Sequence, residues 1–186
     1  MAQRFTPGGI YLFVGRTNSG KTHLLTYIAW LMQHHFDAAF GFCPTIFASN
    51  ISFVRRRFAK FDKRMLTTIM EYQAKQVEQG TAENVLLVFD DIIGEDSVKT
   101  YGSLLGKLFT CSRHYKITIF ITTQYLYKVP PVLRENCKFV FICSSDNPTD
   151  RKRIHDEFCR GDKRNFDKWL DVCSEPGYSS LVIDCY

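Results

Sequence analysis

The run Gly15-Arg16-Thr17-Asn18-Ser19-Gly20-Lys21-Thr22 sets two glycines, a lysine and a hydroxyl residue in the spacing G-x-x-x-x-G-K-[ST]. Glycines so placed let backbone N–H groups close around an anion with no Cβ in the way. The segment "IYLFV" before the run is β-branched and aromatic, as a buried strand should be, and "THLLTYIAWLMQH" after it carries apolar residues at helical spacing. A strand, a glycine loop and a helix N-terminus in that order aim amides and the helix dipole at phosphates. Residues 15–22 are therefore the expected nucleotide-binding segment. Lys21 would serve the β- and γ-phosphates of ATP, and Thr22 would ligate Mg²⁺.

A phosphate loop needs a magnesium partner. "VLLVFDD" carries an apolar strand into Asp90 and Asp91. A carboxylate at Asp90 can hold the water shell of the Mg²⁺, and Asp91 stands where a base that orients the attacking water belongs. The plainer reading of such a pair is a turn or N-cap after a strand. Roughly sixty residues separate this strand from the loop, enough for a further strand and helix. That spacing suits ATPases whose acidic strand is not the loop strand's neighbour. In "SRHYKITIFITTQ" (112–124) another buried strand ends in Thr122, Thr123 and Gln124. The carboxyl edge of an open α/β sheet is where ligands bind, so Gln124 is expected to touch the γ-phosphate or the attacking water.

The elements that must position these residues follow from periodicity. Strands are expected at 10–14, 38–44, 84–91, 116–124 and 138–144, with "YSSLVIDCY" as a closing edge strand. Helices are expected after the loop, at 64–79 and at 96–114, with a short turn at "PPVLREN" and one or two charged helices across 148–172 broken at "RGD". Residues 45–63 read as less regular. Strands alternating with helices imply a mostly parallel sheet covered on both faces, as one domain over residues 1–186.

The bulk numbers agree with that class. The chain has 186 residues, 45% hydrophobic and 23% charged, which suits one globular domain. There is no apolar run of membrane length and no signal-peptide form, so no membrane is expected as a partner. The seven cysteines (43, 111, 137, 143, 159, 173 and 185) form no C-x-x-C. They argue against a zinc ribbon and for a reducing, intracellular compartment. The net charge of +5 is compatible with a polyanionic partner.

Residues 112–124, with a helix ending in Arg, a short turn and a strand ending in Thr-Gln, resemble the matching segment of FtsK/HerA-type DNA-translocating ATPases. "PPVLRENCKFVFICSSDNPTDRKRI" continues the likeness. Within that superfamily the chain looks most like the genome-packaging ATPases of poxviruses and other large eukaryotic DNA viruses. The resemblance implies a RecA-like (ASCE) P-loop NTPase core with strand order 5-1-4-3-2. It also implies a homo-oligomeric ring, a capsid component as partner, and ATP-driven movement of double-stranded DNA into a capsid, in the host cytoplasm or at a virion assembly site. Many relatives carry Asp-Glu where this chain has Asp90-Asp91, which leaves Glu95 as a reserve base. The resemblance also makes Arg113 the candidate arginine acting on a neighbouring subunit, with Arg134 second; Arg16, inside the loop, is expected to point to solvent. The other function classes open to such a chain are a nucleoside or nucleotide kinase and a nucleotide switch in assembly without translocation. Thymidine-kinase-like chains usually carry a C-x-x-C lasso that this one lacks.

Six basic residues, Arg55, Arg56, Arg57, Lys60, Lys63 and Arg64, interleave with Phe53, Phe58 and Phe61. They are candidates for gripping DNA phosphates or, with the phenylalanines as anchors, a solvated face. A second cluster is Arg151, Lys152 and Arg153 with Arg160, Lys163 and Arg164; either cluster could instead face a neighbouring subunit. His34, His35 and His155 read as surface histidines.

Overall fold

Five apolar segments become five parallel strands, since apolar runs of this kind are satisfied in a sheet covered on both faces. In the computed structural model, which describes residues 5–43, 54, 56–91, 95–159, 161–174 and 179–185, these are β1 (Gly9–Val14), β2 (Ala38–Phe42), β4 (Val85–Asp90), β5 (Ile117–Thr123) and β6 (Cys137–Ile142). A three-residue strand β3 (Arg56–Phe58) and a closing strand β7 (Leu181–Asp184) complete a seven-stranded sheet of order β3-β2-β4-β5-β1-β6-β7. Only β7 runs antiparallel, against β6. Numbered among themselves in chain order, the five parallel strands β1, β2, β4, β5 and β6 stand in the expected order 5-1-4-3-2, and β3 and β7 extend the sheet at its two edges. The structure adds β3 beyond β2, in the stretch read as irregular, where "RRF" offers no apolar alternation.

Alternate residues of each strand feed two cores. Tyr11, Phe13, Phe120, Phe139 and Phe141 face helix α1 (Lys21–Met32), which contributes Leu25, Ile28, Ala29 and Met32. Ile10, Leu12, Val14, Leu87, Phe89 and Ile119 face the opposite way. There they meet α2 (Lys63–Glu78), α3 (Glu95–Cys111), α4 (Pro131–Glu135), α5 (Pro148–Phe158) and α6 (Lys163–Ser174). Asp62 caps α2 through the Met65 amide at 3.0 Å, and Asn147 caps α5 through Thr149 at 2.9 Å. The α5–α6 break falls at "RGD" as the sequence indicates. His155 is more than a surface histidine: its Nε2 lies 3.0 Å from the Gly161 carbonyl and its ring packs on Phe166, so it pins that turn.

The strand order decides where the chemistry sits. β5 lies between β1 and β4, so the strand leading into the glycine loop and the strand ending in the acidic pair are separated by one strand. The register sets Asp90 beside Thr122 and Thr122 beside Phe13. All three strand ends open on the same carboxyl edge, the ligand edge of such sheets.

The aromatic core on the α1 side holds that edge in place. Phe141 stacks on Phe13 with centroids 4.6 Å apart, and both rings are buried. We expect Phe141→Ala to lower the unfolding free energy by about 3–5 kcal/mol, the usual cost of deleting a buried ring. Denaturant unfolding measures it, and a loss under about 1 kcal/mol would contradict this packing.

Candidate nucleotide site

The glycine loop is clamped at its root by both neighbouring strands. The Gly15 amide donates to the Thr123 carbonyl (3.2 Å), and the Cys143 amide donates to the Val14 carbonyl (2.8 Å). A Cβ on Gly15 would meet Ser19 Oγ at 2.6 Å and Cys143 Cβ at 3.1 Å, so only glycine lets the loop fold back this tightly. Asn18 and Gly20 adopt φ of 61° and 84°, left-handed values that glycine takes freely and Asn tolerates. They turn the chain so that α1 begins at Lys21, with amides 18–21 at its N-terminus and no carboxylate in its first turn. Such an end attracts phosphate.

Two side chains in the loop are suited to a phosphate. Ser19 Oγ is buried with no hydrogen-bond partner. Lys21 is buried, and its Nζ donates to the Arg16 carbonyl across the loop at 2.6 Å. Burial lowers the Lys21 pKa, while the nearby Asp91, Cys143 and Asp90 oppose that shift. Cys143, in turn, is pushed up to about 11 by burial, with Lys21 pulling the other way. A triphosphate would give Lys21 a further counter-charge. Arg16 points outward and pairs with Asp146 at 2.7 Å, as expected for its position. Beside it opens a cleft of about 470 Å³, lined by Arg16, Thr17, Gln124, Tyr125, Ser144 and Asp146 among others, in the range of small-ligand pockets.

The acidic pair stands opposite the loop. Asp90 is buried and accepts from three segments: Thr122 Oγ1 (2.6 Å), Thr22 Oγ1 (3.3 Å) and Cys43 Sγ (3.4 Å). Thr22 and Asp90 thus sit side by side with hard oxygen donors. Among the described residues no group of three or more His, Cys, Asp or Glu could hold a metal ion. Mg²⁺ takes one or two protein carboxylates and completes its shell with water and substrate phosphates, a donor set that Thr22 and Asp90 could begin. Asp91 is exposed and adopts φ of 53°, a strained value for a non-glycine residue that persists only when neighbours hold it. Two do: Thr122 Oγ1 accepts from the Asp91 amide (2.9 Å), and Gln124 Nε2 donates to Asp91 Oδ2 (2.9 Å).

Thr122 was not singled out in the sequence as a site residue, yet it touches both acids. Its hydroxyl gives its proton to Asp90 and takes one from the Asp91 amide. The only sequence signal was a polar residue where an apolar strand ends. Cys43 also donates into the site.

The other candidates lie elsewhere. Arg113 is exposed at the amino edge of the sheet, where a Cβ on Gly9 would lie 3.5 Å from its Nε and where burial, with Arg113 adding to it, lowers the Lys138 pKa. The length of β1 separates it from its own loop, about 20 Å at 3.3 Å per residue. Its side chain is too short to span that distance to its own loop. Arg134 ends α4 at the same edge, paired with Glu157 at 3.5 Å. Glu95 opens α3, but its side chain lies outside the described residues, as do Arg55, Phe53 and Arg160. Arg56, Arg57, Lys60, Lys63 and Arg64 are exposed around β3 and the start of α2. Phe58 and Phe61 turn inward onto Phe42, so they anchor the segment rather than offer stacking faces.

Comparison with known proteins places this arrangement. The family described as the poxvirus A32 protein matches residues 10–180. A curated relative, the uncharacterized protein 088R of Invertebrate iridescent virus 3, is 28% identical over 158 residues, covering 81% of this chain and 59% of its own length. The chain spans about three-fifths of that relative. Among solved structures, the genome packaging NTPase B204 of Sulfolobus turreted icosahedral virus 2 in complex with AMP superposes with a TM-score of 0.72 at 13% identity, over 97% of this chain and 94% of B204. ATPases 2 and 3 of EssC from Geobacillus thermodenitrificans give 0.65 at 13% identity, over 95% of this chain and 37% of that one. The FtsK/HerA-type fold implied by residues 112–124 is the fold found.

Thr122→Val keeps the shape and deletes the hydroxyl. Losing hydrogen bonds that involve a charged group costs about 1.5–3 kcal/mol, so turnover of ATP should fall roughly ten- to a hundredfold while Thr122→Ser retains most of it. Wild-type turnover in the valine variant would remove Thr122 from the site.

Proposed function

The chain belongs to the family of the poxvirus A32 protein, and from that membership and the site geometry we propose that it is an ATP hydrolase that drives double-stranded DNA into a viral capsid. The observation that carries the reading is the placement of Asp90 and Asp91 one strand removed from a phosphate loop, with Gln124 just past the strand between and bonded to Asp91, in a fold shared with a genome packaging NTPase.

The residues divide the work. Loop amides and the α1 N-terminus hold the triphosphate of ATP, and Lys21 leaves the Arg16 carbonyl for the β- and γ-phosphates. Thr22 and Asp90 are the side chains that would hold Mg²⁺, which when bound neutralises charge on the β- and γ-oxygens. Asp91 and Gln124 form one hydrogen-bonded unit at the solvent side, placed to hold the attacking water. As the water oxygen bonds to the γ-phosphorus and the bond to the β-phosphate oxygen breaks, Asp91 accepts the water's proton and ADP carries the electrons of the broken bond. The loop brings one lysine and no second cation, so Arg113 of an adjoining copy completes the charge. That requirement is the reason for a homo-oligomeric ring. A capsid component receives the DNA, in the host cytoplasm or at a virion assembly site. Among the described residues no helix is long and apolar enough to cross a membrane.

Steady-state hydrolysis tests this reading. Wild type should hydrolyse ATP faster with duplex DNA, and Lys21→Ala should lose about 3–4 kcal/mol of transition-state stabilisation. Hydrolysis indifferent to DNA favours a nucleotide switch, and phosphate transfer to nucleosides favours a kinase. Arg113→Ala and Lys21→Ala, each inactive alone, should recover activity when mixed, because some interfaces then join an intact loop to an intact arginine. Mixtures that stay silent despite subunit exchange would sink the trans role.

A further inference from the structure

Directly after Gln124 the chain makes a 3₁₀ turn, Leu126–Lys128, that alternates sharply between core and solvent. Leu126 and Val129 are buried, while Tyr125 and Tyr127 are 40% and 48% exposed. The turn is braced from below. Thr123 Oγ1 donates to the Tyr125 carbonyl (3.2 Å), and the amides of Lys128 and Val129 donate to Tyr125 and Leu126 (3.2 and 3.0 Å). The two tyrosine rings lie 5.4 Å apart, with Lys128 Nζ 5.0 Å over Tyr125 and the Arg153 guanidinium 5.6 Å over Tyr127. Among the described residues, no carboxylate pairs with Lys128 or Arg153. Of the charged groups nearby, Asp146 is held by Arg16, Arg151 is held by Asp171 and the Ser145 carbonyl, and Asp156 lies against His155. Asp150 lines the adjoining cleft.

We infer that this turn, through Tyr125, Tyr127, Lys128 and Arg153, is a contact surface for the phosphodiester backbone of duplex DNA. The inference rests on the motor reading above and names the surface that the motor would use. The cations over each ring cover faces that bases would otherwise stack on. What remains outward is positive charge and two phenol hydroxyls, the groups that contact phosphates and carry no sequence information. Rings fixed by buried neighbours present these groups at little entropic cost. Gln124, which holds Asp91, is the next residue in the chain, so a pull on the turn reaches the residue pair proposed to hold the attacking water.

Binding of a labelled duplex across a salt series tests the assignment, with Arg56→Ala/Arg57→Ala as the comparison at the β3 edge. Each lost phosphate contact takes about 0.9 from the log–log slope, so Lys128→Ala/Arg153→Ala should flatten it by about 1.8. Tyr127→Ala should weaken binding at every salt concentration with less change of slope, and Tyr127→Phe should report the hydroxyl alone. ATP binding and the melting temperature of each variant check that the fold survives. If the wild type binds duplex and Lys128→Ala/Arg153→Ala keeps its slope, the turn is not the surface, and a flattened slope in the Arg56/Arg57 variant would move the contact to β3. If the wild type binds no duplex at any salt concentration, the motor reading falls and this inference with it.

Discussion

Asp90 is a carboxylate 6% exposed at the end of a buried strand, and a group of that kind is tolerated only when its lone pairs are met. Its donors come from three separate parts of the chain: Thr22 at the start of α1, Cys43 just beyond β2, and Thr122 on β5. Meeting that requirement fixes the rest. β5 must lie directly beside β4 for Thr122 to reach Asp90, and the loop must bring α1 over the same edge for Thr22 to do so. The hydroxyl that satisfies Asp90 also accepts from the Asp91 amide, which holds Asp91 in its left-handed conformation. Gln124, two residues further along β5, then meets the Asp91 carboxylate. One buried carboxylate thereby ties together the Thr22 side and the Asp91–Gln124 side of the site.

Much of this was legible in the sequence where function is written in consecutive residues. The phosphate loop depends on local backbone shape, so residues 15–22 carry their own signature. Asp90, Asp91 and Gln124 were legible because each ends a run of apolar residues, and strand ends at the carboxyl edge are where such sheets do chemistry. The central five strands were legible for the same reason: each is a continuous apolar segment. The strand order came from resemblance, which the family match and the solved folds bear out.

The rest depends on register and through-space neighbours, which spacing does not encode. Thr122 acquires its double role only because β4 and β5 pair Asp90 with it. Cys43 looks like any small apolar residue until its thiol is found against Asp90. β3 is three residues with two outward arginines and no periodicity to read. Phe58 and Phe61, interleaved with basic residues in the sequence, are seen as anchors only once their packing on Phe42 is known. Arg113 was chosen by resemblance, and its place at the amino edge, far from its own loop, is a matter of topology that spacing does not encode. Tyr125 and Tyr127 carried no signal at all, since exposed tyrosines in a turn are unremarkable until their rings are found paired and capped by cations.

Hydrolysis and DNA binding are each compatible with a switch, so the claim that separates a motor from a switch is movement along the duplex. A duplex carrying a short triplex-forming third strand downstream of a loading region measures it directly, because a protein that travels along the duplex strips the third strand. The account predicts displacement that requires hydrolysable ATP and disappears in Lys21→Ala. DNA-stimulated ATP hydrolysis with the third strand left in place would contradict it.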